Sequence, residues 1–503
     1  MSPQSGRIKN IVIVGGGTAG WMAAAALGRL FRNNSDMSVT LIESEAIGTV
    51  GVGEATIPPI REYLKFLKIT EPDFMRRTSA TYKLAIKFEN WETPQSAYWH
   101  PFGELGPNIE NWPLYQHWLK ARAHKKDCGA LMDHSICIKL AEQNKFQFPK
   151  GDPYSPLRNS SYAFHLDAVA FAGMLREYAE ERAVKRIEGK VVKVHQHENG
   201  DIAALQLEGD RRVEGDFFID CTGFYGLLIE KTLYAGYDDW SEYLPCDRAY
   251  AAPTPSAGDL YPYTHSIAQK AGWRWKIPLQ SRMGNGYVFS TRFTTEEDAR
   301  EEFLSALGEA PLAEPRLLKF TGGRRKEVWK KNCLSLGLAS GFLEPLESTS
   351  IHMIFTGLFK FLDSFPEKEF SQAIINKYNK NVQHSTEEIR DFIILHYCLT
   401  RRDDTEFWNY CRTMPLPASL EDRIEMFRLN GRILSDSDAL FRLVSWISIY
   451  DGMGVTPTSY DPLVDCVPEQ AALDVMARIR AGIKQTVQES PRHATVLESQ
   501  IPA

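Results

Sequence analysis

An aliphatic run, Ile11-Val-Ile-Val14, is followed by Gly15, Gly17 and Gly20 and then by an alanine-rich stretch. Strand, tight turn and helix in that order, with glycines at those places, make a dinucleotide-binding unit. The first glycine permits the turn. The second lets backbone approach a pyrophosphate, and the third lets helix and strand pack closely. The phosphates would sit where Thr18 and Ala19 open the helix, because unpaired N–H groups and the helix dipole favour anions there. A second strand, Ser38-Val-Thr-Leu-Ile-Glu43, follows at the right distance, and Glu43 is placed to accept from a ribose hydroxyl. Gly51-Val-Gly-Glu-Ala-Thr-Ile-Pro58 comes next as a second glycine-bearing loop.

Further along lie residues able to move protons. In Thr81-Tyr-Lys-Leu-Ala-Ile-Lys-Phe-Glu-Asn-Trp91, Tyr82, Leu84, Ile86 and Phe88 share one face of a strand, and Lys83 and Lys87 share the other. Taken locally, that is a half-solvated strand with two exposed lysines. Gly341-Phe-Leu-Glu-Pro-Leu-Glu-Ser-Thr-Ser350 is a loop carrying Glu344 and Glu347, between a strand over 332–339 and a helix over 351–361. Gly272-Trp-Arg-Trp-Lys-Ile-Pro278 is strand-like, and its two tryptophans alone suggest core packing.

The elements around these residues belong to an ordinary globular chain of 503 residues, with 43% hydrophobic and 24% charged residues, long enough for one to three domains. A net charge of -6 and the lack of a long basic tract argue against a nucleic-acid partner. The 8 cysteines form no Cys-x-x-Cys pair and the 12 histidines no His-Glu-x-x-His motif, so no metal site is expected and a reducing compartment fits. No apolar segment is long enough to span a bilayer, and the N-terminus runs into the first strand rather than a signal peptide. The expected location is cytoplasmic.

In chain order, residues 59–77 read as helical and 92–160 as irregular chain with aromatic anchors, including His100 and Phe102. Residues 161–185 read as one amphipathic helix. Strands follow over 190–222, with Glu198-Asn-Gly-Asp201 as a hairpin turn. The last strand, ending in Asp220-Cys-Thr-Gly223, looks like the returning strand of a two-part flavin-binding domain. The nucleotide domain is therefore expected to be discontinuous, over 7–91, 161–235 and 326–365. Aromatic-rich regions at 92–160 and 236–325 are inserted in it, residues 366–490 form a helical region, and 491–503 a disordered tail.

Taken together and in this order, Gly-Gly-Gly-Thr-Ala-Gly-Trp over 15–21, Gly-Val-Gly-Glu-Ala-Thr over 51–56, Lys83, Trp273-x-Trp-x-Ile-Pro278 and Glu344-Pro-Leu-Glu-Ser-Thr349 resemble the flavin-dependent tryptophan halogenase family. The resemblance covers residues 8–465, and the Trp-x-Trp-x-Ile-Pro element is its most specific part. It implies an α/β fold: a two-part, Rossmann-like FAD-binding domain of the hydroxylase (GR2) type, an inserted β-rich region and a C-terminal helical region. It also implies that reduced flavin (FADH2) and oxygen form a hydroperoxide, which chloride or bromide converts to hypohalous acid. The acid then travels along a tunnel to a lysine, which delivers electrophilic halogen to an electron-rich arene such as an indole.

By this resemblance the lysine is Lys83, acting as hydrogen-bond donor or haloamine, and the assisting carboxylate is Glu347. The backbone N–H groups of Thr349 and Ser350 would hold the halide, although the family usually has glycine where Ser350 stands. Flavin contacts would come from Gly15, Gly17, Thr18, Ala19, Gly20, Glu43, Val52, Gly53, Glu54, Ala55, Leu338 and Ile351, with Val192 at the margin. Trp273 and Trp275 would separate flavin from substrate, and His100 and Phe102 would flank the indole. The implied partners are a separate NAD(P)H-dependent flavin reductase and a small aromatic substrate, and a homodimer is allowed. One departure stands out. Over Phe441–Asp451 the chain lacks the tyrosine pair that clamps a free amino acid in the family. The rival readings are a flavin-dependent aromatic hydroxylase and a non-catalytic flavin-binding protein.

Overall fold

The computed structural model describes residues 6–45, 53–256, 258, 260–436 and 438–500. At its centre the strand Asn10–Val14 runs parallel to Ser38–Glu43 on one side and to Phe217–Asp220 on the other. Lys185–Glu188, Cys333–Ser335 and Trp329–Lys330 complete a six-stranded sheet. Ile11, Val12, Ile13 and Val14 are all buried, as expected of a strand covered on both faces. Helix Thr18–Phe31 packs its run of buried alanines against helix Ala168–Glu180, since small side chains let the two backbones approach. The hairpin expected at 198–201 joins Val191–Gln196 to Ile202–Leu207, with Gly200 at a φ of 84°.

A second, seven-stranded sheet holds the Trp-x-Trp strand, Gly272–Pro278, between Tyr263–Ala268 and Met283–Phe289. A third sheet has only three short strands, in the order Gly53–Ala55, Ala163–Asp167 and Thr81–Lys83.

Two sequence expectations are corrected here. Residues 161–185 are not one helix: Ala163–Asp167 is a strand, and the helix begins at Ala168. Asp167 starts it, its Oδ1 accepting from the N–H groups of Val169 and Ala170 at 3.0 and 3.1 Å. Ala163 to Leu166 are all buried, and a short strand buried on both faces has no period to distinguish it from helix. The stretch 81–91 is likewise two strands, Thr81–Lys83 and Ala85–Glu89, in different sheets. The break is at Leu84, whose N–H donates to Pro262 and whose carbonyl accepts from Phe102.

Beyond residue 366 the described chain is mostly helical, including the long helix Gln372–Cys398. The tail expected to be disordered from 491 instead forms helix His493–Gln500. His493 anchors it: fully buried, it accepts from the Tyr82 N–H at Nε2 and pairs with the Leu260 carbonyl through Nδ1. Burial pushes its pKa down to about 4, so the ring is neutral and can be that acceptor. Residues 501–503 lie outside the described residues.

Candidate active site

Beside the Gly15 turn lies a cavity of about 1170 Å³. Gly15, Gly17, Thr18, Ala19, Glu43, Gly53, Glu54, Ala55, Leu338 and Ile351 line it, with the half-exposed Val192 also in its wall. Val52 lies outside the described residues. The local geometry is that of a cradle for a dinucleotide. Gly15 has a φ of 110°, and a Cβ there would stand 2.2 Å from the Cys221 carbonyl oxygen. A Cβ on Gly17 would meet nothing within 4 Å, leaving room for a phosphate. Gly20 is not in the wall; its missing side chain lets the Gly15 carbonyl approach, where a Cβ would stand at 1.8 Å. These residues fit a flavin dinucleotide in size and donor chemistry.

Glu43 lines the cavity but is also held by protein groups: Arg186 Nε donates to Oε1 at 2.5 Å and Trp21 Nε1 to Oε2 at 3.3 Å. Arg176, from helix Ala168–Glu180, also lines the cavity, and nothing in its sequence surroundings pointed to it. Burial pushes the Glu54 carboxyl up to about 7.

Lys83 is fully buried, not on a solvent face, whereas Lys87 is only partly covered. Its Nζ donates to Ser348 Oγ at 2.8 Å and to the Thr56 carbonyl at 3.1 Å, and it sits 5.2 Å from the centre of the Phe102 ring. The Thr56 carbonyl is fixed because Thr56 and Phe164 hydrogen-bond to each other through backbone and hydroxyl. Ser348 lines the large cavity, so Lys83 is one hydrogen bond from it. Ser348 adopts a φ of 59°, a conformation that costs a serine energy and tends to persist where surroundings enforce it.

Burial lowers the Lys83 pKa to about 7, against the opposing pull of the Glu347 charge. Below pH 7 the folded protein therefore carries a buried charge that the unfolded chain would hold in water. Between about 7 and the ordinary lysine value of 10.5, the unfolded chain binds the extra proton, so stability rises with pH. Lys83→Met is accordingly expected to raise Tm relative to the parent more at pH 6 than at pH 9. Thermal melts of both proteins at the two pH values check this; equal differences would mean that the amine is not desolvated.

Glu347 is 1% exposed and clasped by two imidazoles. His100 Nδ1 lies 2.7 Å from Oε2, and His396 Nε2 lies 2.7 Å from Oε1. An ionised carboxylate only accepts, so each of these nitrogens carries the hydrogen. His396 is buried, and burial, reinforced by nearby His100, drives its pKa well below the ordinary value. It is a neutral donor, and its Nδ1 has no partner among the described residues. Sequence reading missed His396, which sits on helix Gln372–Cys398, far from any recognised motif. His100 and Phe102 do come together with Lys83 and Glu347, but His100 acts first on Glu347.

The two tryptophans occupy successive depths. Trp275 lines the cavity, its ring fitting where a Gly286 side chain would stand. Trp273 lies behind it at 6.0 Å, then Trp91 at 6.3 Å, then His396 at 6.2 Å from Trp91. Trp273 is fixed by its Nε1, which donates to Glu344 Oε2 at 2.6 Å; Tyr397 donates to the same oxygen at 2.6 Å. Burial pushes Glu344 up to about 7 even so.

Thr349 and Ser350 stand at the start of helix Ser350–Asp363, where the first N–H groups have no intrahelical partner. Ser350 lines the cavity; Thr349 is buried beside it and its hydroxyl has no partner among the described residues. Among the described residues no group of His, Cys, Asp and Glu could hold a metal, and no helix is long and apolar enough to cross a membrane.

The same arrangement of elements occurs in proteins of known activity. The family model described as tryptophan halogenase matches residues 10–469. Tryptophan 6-halogenase ThaL from Streptomyces albogriseolus is 34% identical over 93% of both chains. Among solved structures, the flavin-dependent halogenase Xcc4156 from Xanthomonas campestris superposes with a TM-score of 0.94 at 41% identity, covering 99% of each chain. The flavin-dependent halogenase BrvH from Brevundimonas sp. BAL3 gives a TM-score of 0.94 at 42% identity, covering 99% of this chain and 100% of that one. A glycine cradle, a tryptophan wall and a buried lysine beyond it are thus features of a chain that belongs to the flavin-dependent tryptophan halogenase family, and it is an enzyme of that family.

Proposed function

We propose that the protein halogenates an indole ring, with Lys83 delivering the halogen and Glu347 receiving the ring proton. The observation that carries this reading is the fully buried Lys83, one hydrogen bond from the flavin-sized cavity and within the electrostatic reach of Glu347. FAD, bound as FADH2 in that cavity, would with oxygen and chloride or bromide supply hypohalous acid. Gly15, Gly17 and Thr18 would hold its pyrophosphate, and Thr349 and Ser350 N–H groups the halide.

Lys83 orients hypohalous acid through Nζ, in a site too dry for the acid to be lost to bulk water. A pKa near 7 leaves both ammonium and amine present at neutral pH, so donor and haloamine routes are both open. In the donor route the oxygen–halogen bond breaks as the carbon–halogen bond forms, and the oxygen takes a proton from the Lys83 ammonium and leaves as water. In the haloamine route the amine first displaces water from the acid, and the nitrogen–halogen bond breaks as the carbon–halogen bond forms. The ring then loses its proton to Glu347, held in place by His100 and His396. The stack from Trp275 to Trp91 keeps the arene from the flavin, which disfavours hydroxylation.

The substrate's reacting part is apolar in its needs. Ile57, Phe102 and Leu440 pack together near Lys83, and Phe441 stacks on Phe392 at 3.8 Å beside His100. Burying the ammonium and carboxylate of a free amino acid without partners costs several kcal/mol each. Indole is therefore expected to show at least a tenfold higher kcat/KM than free tryptophan under identical FADH2 supply; a clear preference for tryptophan would refute this pocket reading.

The flavin supply is a second expectation. The chain has one glycine fingerprint, which we give to FAD, so a separate reductase must reduce the flavin. Brominated indole should form with NADH, FAD, bromide and a flavin reductase, and none should form when the reductase is omitted. Product without reductase or other reductant would contradict this.

A further inference from the structure

A second cleft, of about 410 Å³, lies between helices Ser350–Asp363 and Gln372–Cys398. Helix Ser350–Asp363 divides it from the flavin-sized cavity: Ile351 and Ile354 face that cavity, while His352, Thr356 and Lys360 face the cleft. Those three follow one another at intervals of four, which puts them in a row on one helix face. We infer that this cleft receives the anionic arm of an extended indole substrate, whose carboxylate pairs with Lys360. The inference rests on the indole reading above and names the substrate class that the reading leaves open.

Three observations support it. First, Lys360 is a cation with only neutral partners. Its Nζ donates to Ser385 Oγ at 2.6 Å and to the Asn381 carbonyl at 3.3 Å, and among the described residues no carboxylate pairs with it. An ammonium has three hydrogens, so one remains for a ligand. Burial disfavours its charge; Asp438 and Glu388, which also line the cleft, act in the opposite sense without pairing with it. An incoming carboxylate would relieve that burial cost. Second, polar atoms in the wall are unsatisfied. His352 Nδ1, Arg324 Nε and the carboxylate oxygen Glu388 Oε1 are buried without hydrogen-bond partners among the described residues. Arg324 is otherwise paired with Asp238 and Glu387. A native protein rarely leaves such groups unpaired unless something else meets them.

Third, the cleft borders residues packed at the reacting centre. Leu440 lines it and also packs on Ile57 and Phe102. Pro59, in its wall, is three residues from Thr56, whose carbonyl holds Lys83. Met353 lines both cavities. From Ser350 to Lys360 is about 15 Å along a helix at 1.5 Å per residue. A fully extended peptide covers about 3.3–3.6 Å per residue, so an arm of four or five residues spans it. Free tryptophan is too short to reach.

The probe is N-acetyltryptophan followed by four glycines, as the free acid and as the C-terminal amide, with binding to the FAD-loaded enzyme measured by calorimetry. The acid is expected to bind about ten times more tightly than the amide. Lys360→Gln is expected to reduce that ratio to near one, and Lys360→Arg to restore most of it. Equal affinities in the parent, or a ratio unchanged by Lys360→Gln, would overturn the inference; the parent comparison stands even if a variant fails to fold. Bromination of indole is read separately and tests the underlying reading, since a calorimetric difference does not depend on turnover.

Discussion

Lys83→Ala should bring halogenated product to background while FAD binding and oxidation of reduced flavin stay close to the parent. The separation follows from position. Lys83 does not line the flavin-sized cavity; it touches it only through Ser348. Removing the amine therefore leaves the flavin's own surroundings in place and removes only the group that holds hypohalous acid near the arene. Alanine also removes the buried charge, so the fold is not expected to suffer from an unpaired partner: Ser348 and the Thr56 carbonyl keep space for water. The check is product and oxidised flavin measured in the same reaction. Normal product yield would end the assignment of Lys83, and loss of flavin oxidation along with product would mean that the two chemistries are not spatially separate.

Glu347→Gln should lower turnover by about two or more orders of magnitude, the scale for losing a proton-transfer group. A glutamine occupies nearly the same volume, so the loss is chemical rather than steric. It also meets a hydrogen-bond conflict. His100 Nδ1 and His396 Nε2 both aim donors at the two carboxylate oxygens. The amide offers one acceptor and one donor, so one imidazole must change tautomer or lose its bond. Leaving a buried donor unpaired costs about 1–3 kcal/mol. Turnover should fall far more than stability does, and comparing kcat with Tm for the variant separates the two. A kcat within about threefold of the parent would exclude Glu347 as the proton acceptor.

Several parts of this site could be read from the chain because they are local. The turn from Gly15 to Ala19 and the acid at Glu43 are spacing signals, and the structure puts them around one cavity. Lys83 was different. Local alternation placed it beside Lys87 on a solvent face, and only the family resemblance singled it out. The pattern misled because the chain changes sheets at Leu84, a long-range event that alternation cannot encode. His396 and Arg176 carry no motif; they matter because helices distant in sequence dock on the Glu347 loop and on the glycine turn. Glu344 was visible only as part of a loop, and its hold on Trp273 depends on a strand more than seventy residues away. The helix His493–Gln500 escaped for the same reason: buried His493, with Val496 and Leu497 packed into the core, fixes the tail through long-range contacts.

The central claim is that a flavin-driven reaction ends in a carbon–halogen bond on an indole. The most direct measurement is the mass spectrum of indole incubated with the enzyme, FAD, a flavin reductase, NADH, oxygen and bromide. A monobrominated product, recognised by the paired bromine isotopes and absent when bromide is left out, is the predicted result. Hydroxylated indole formed with or without bromide, with no brominated product, would contradict it and favour the hydroxylase reading.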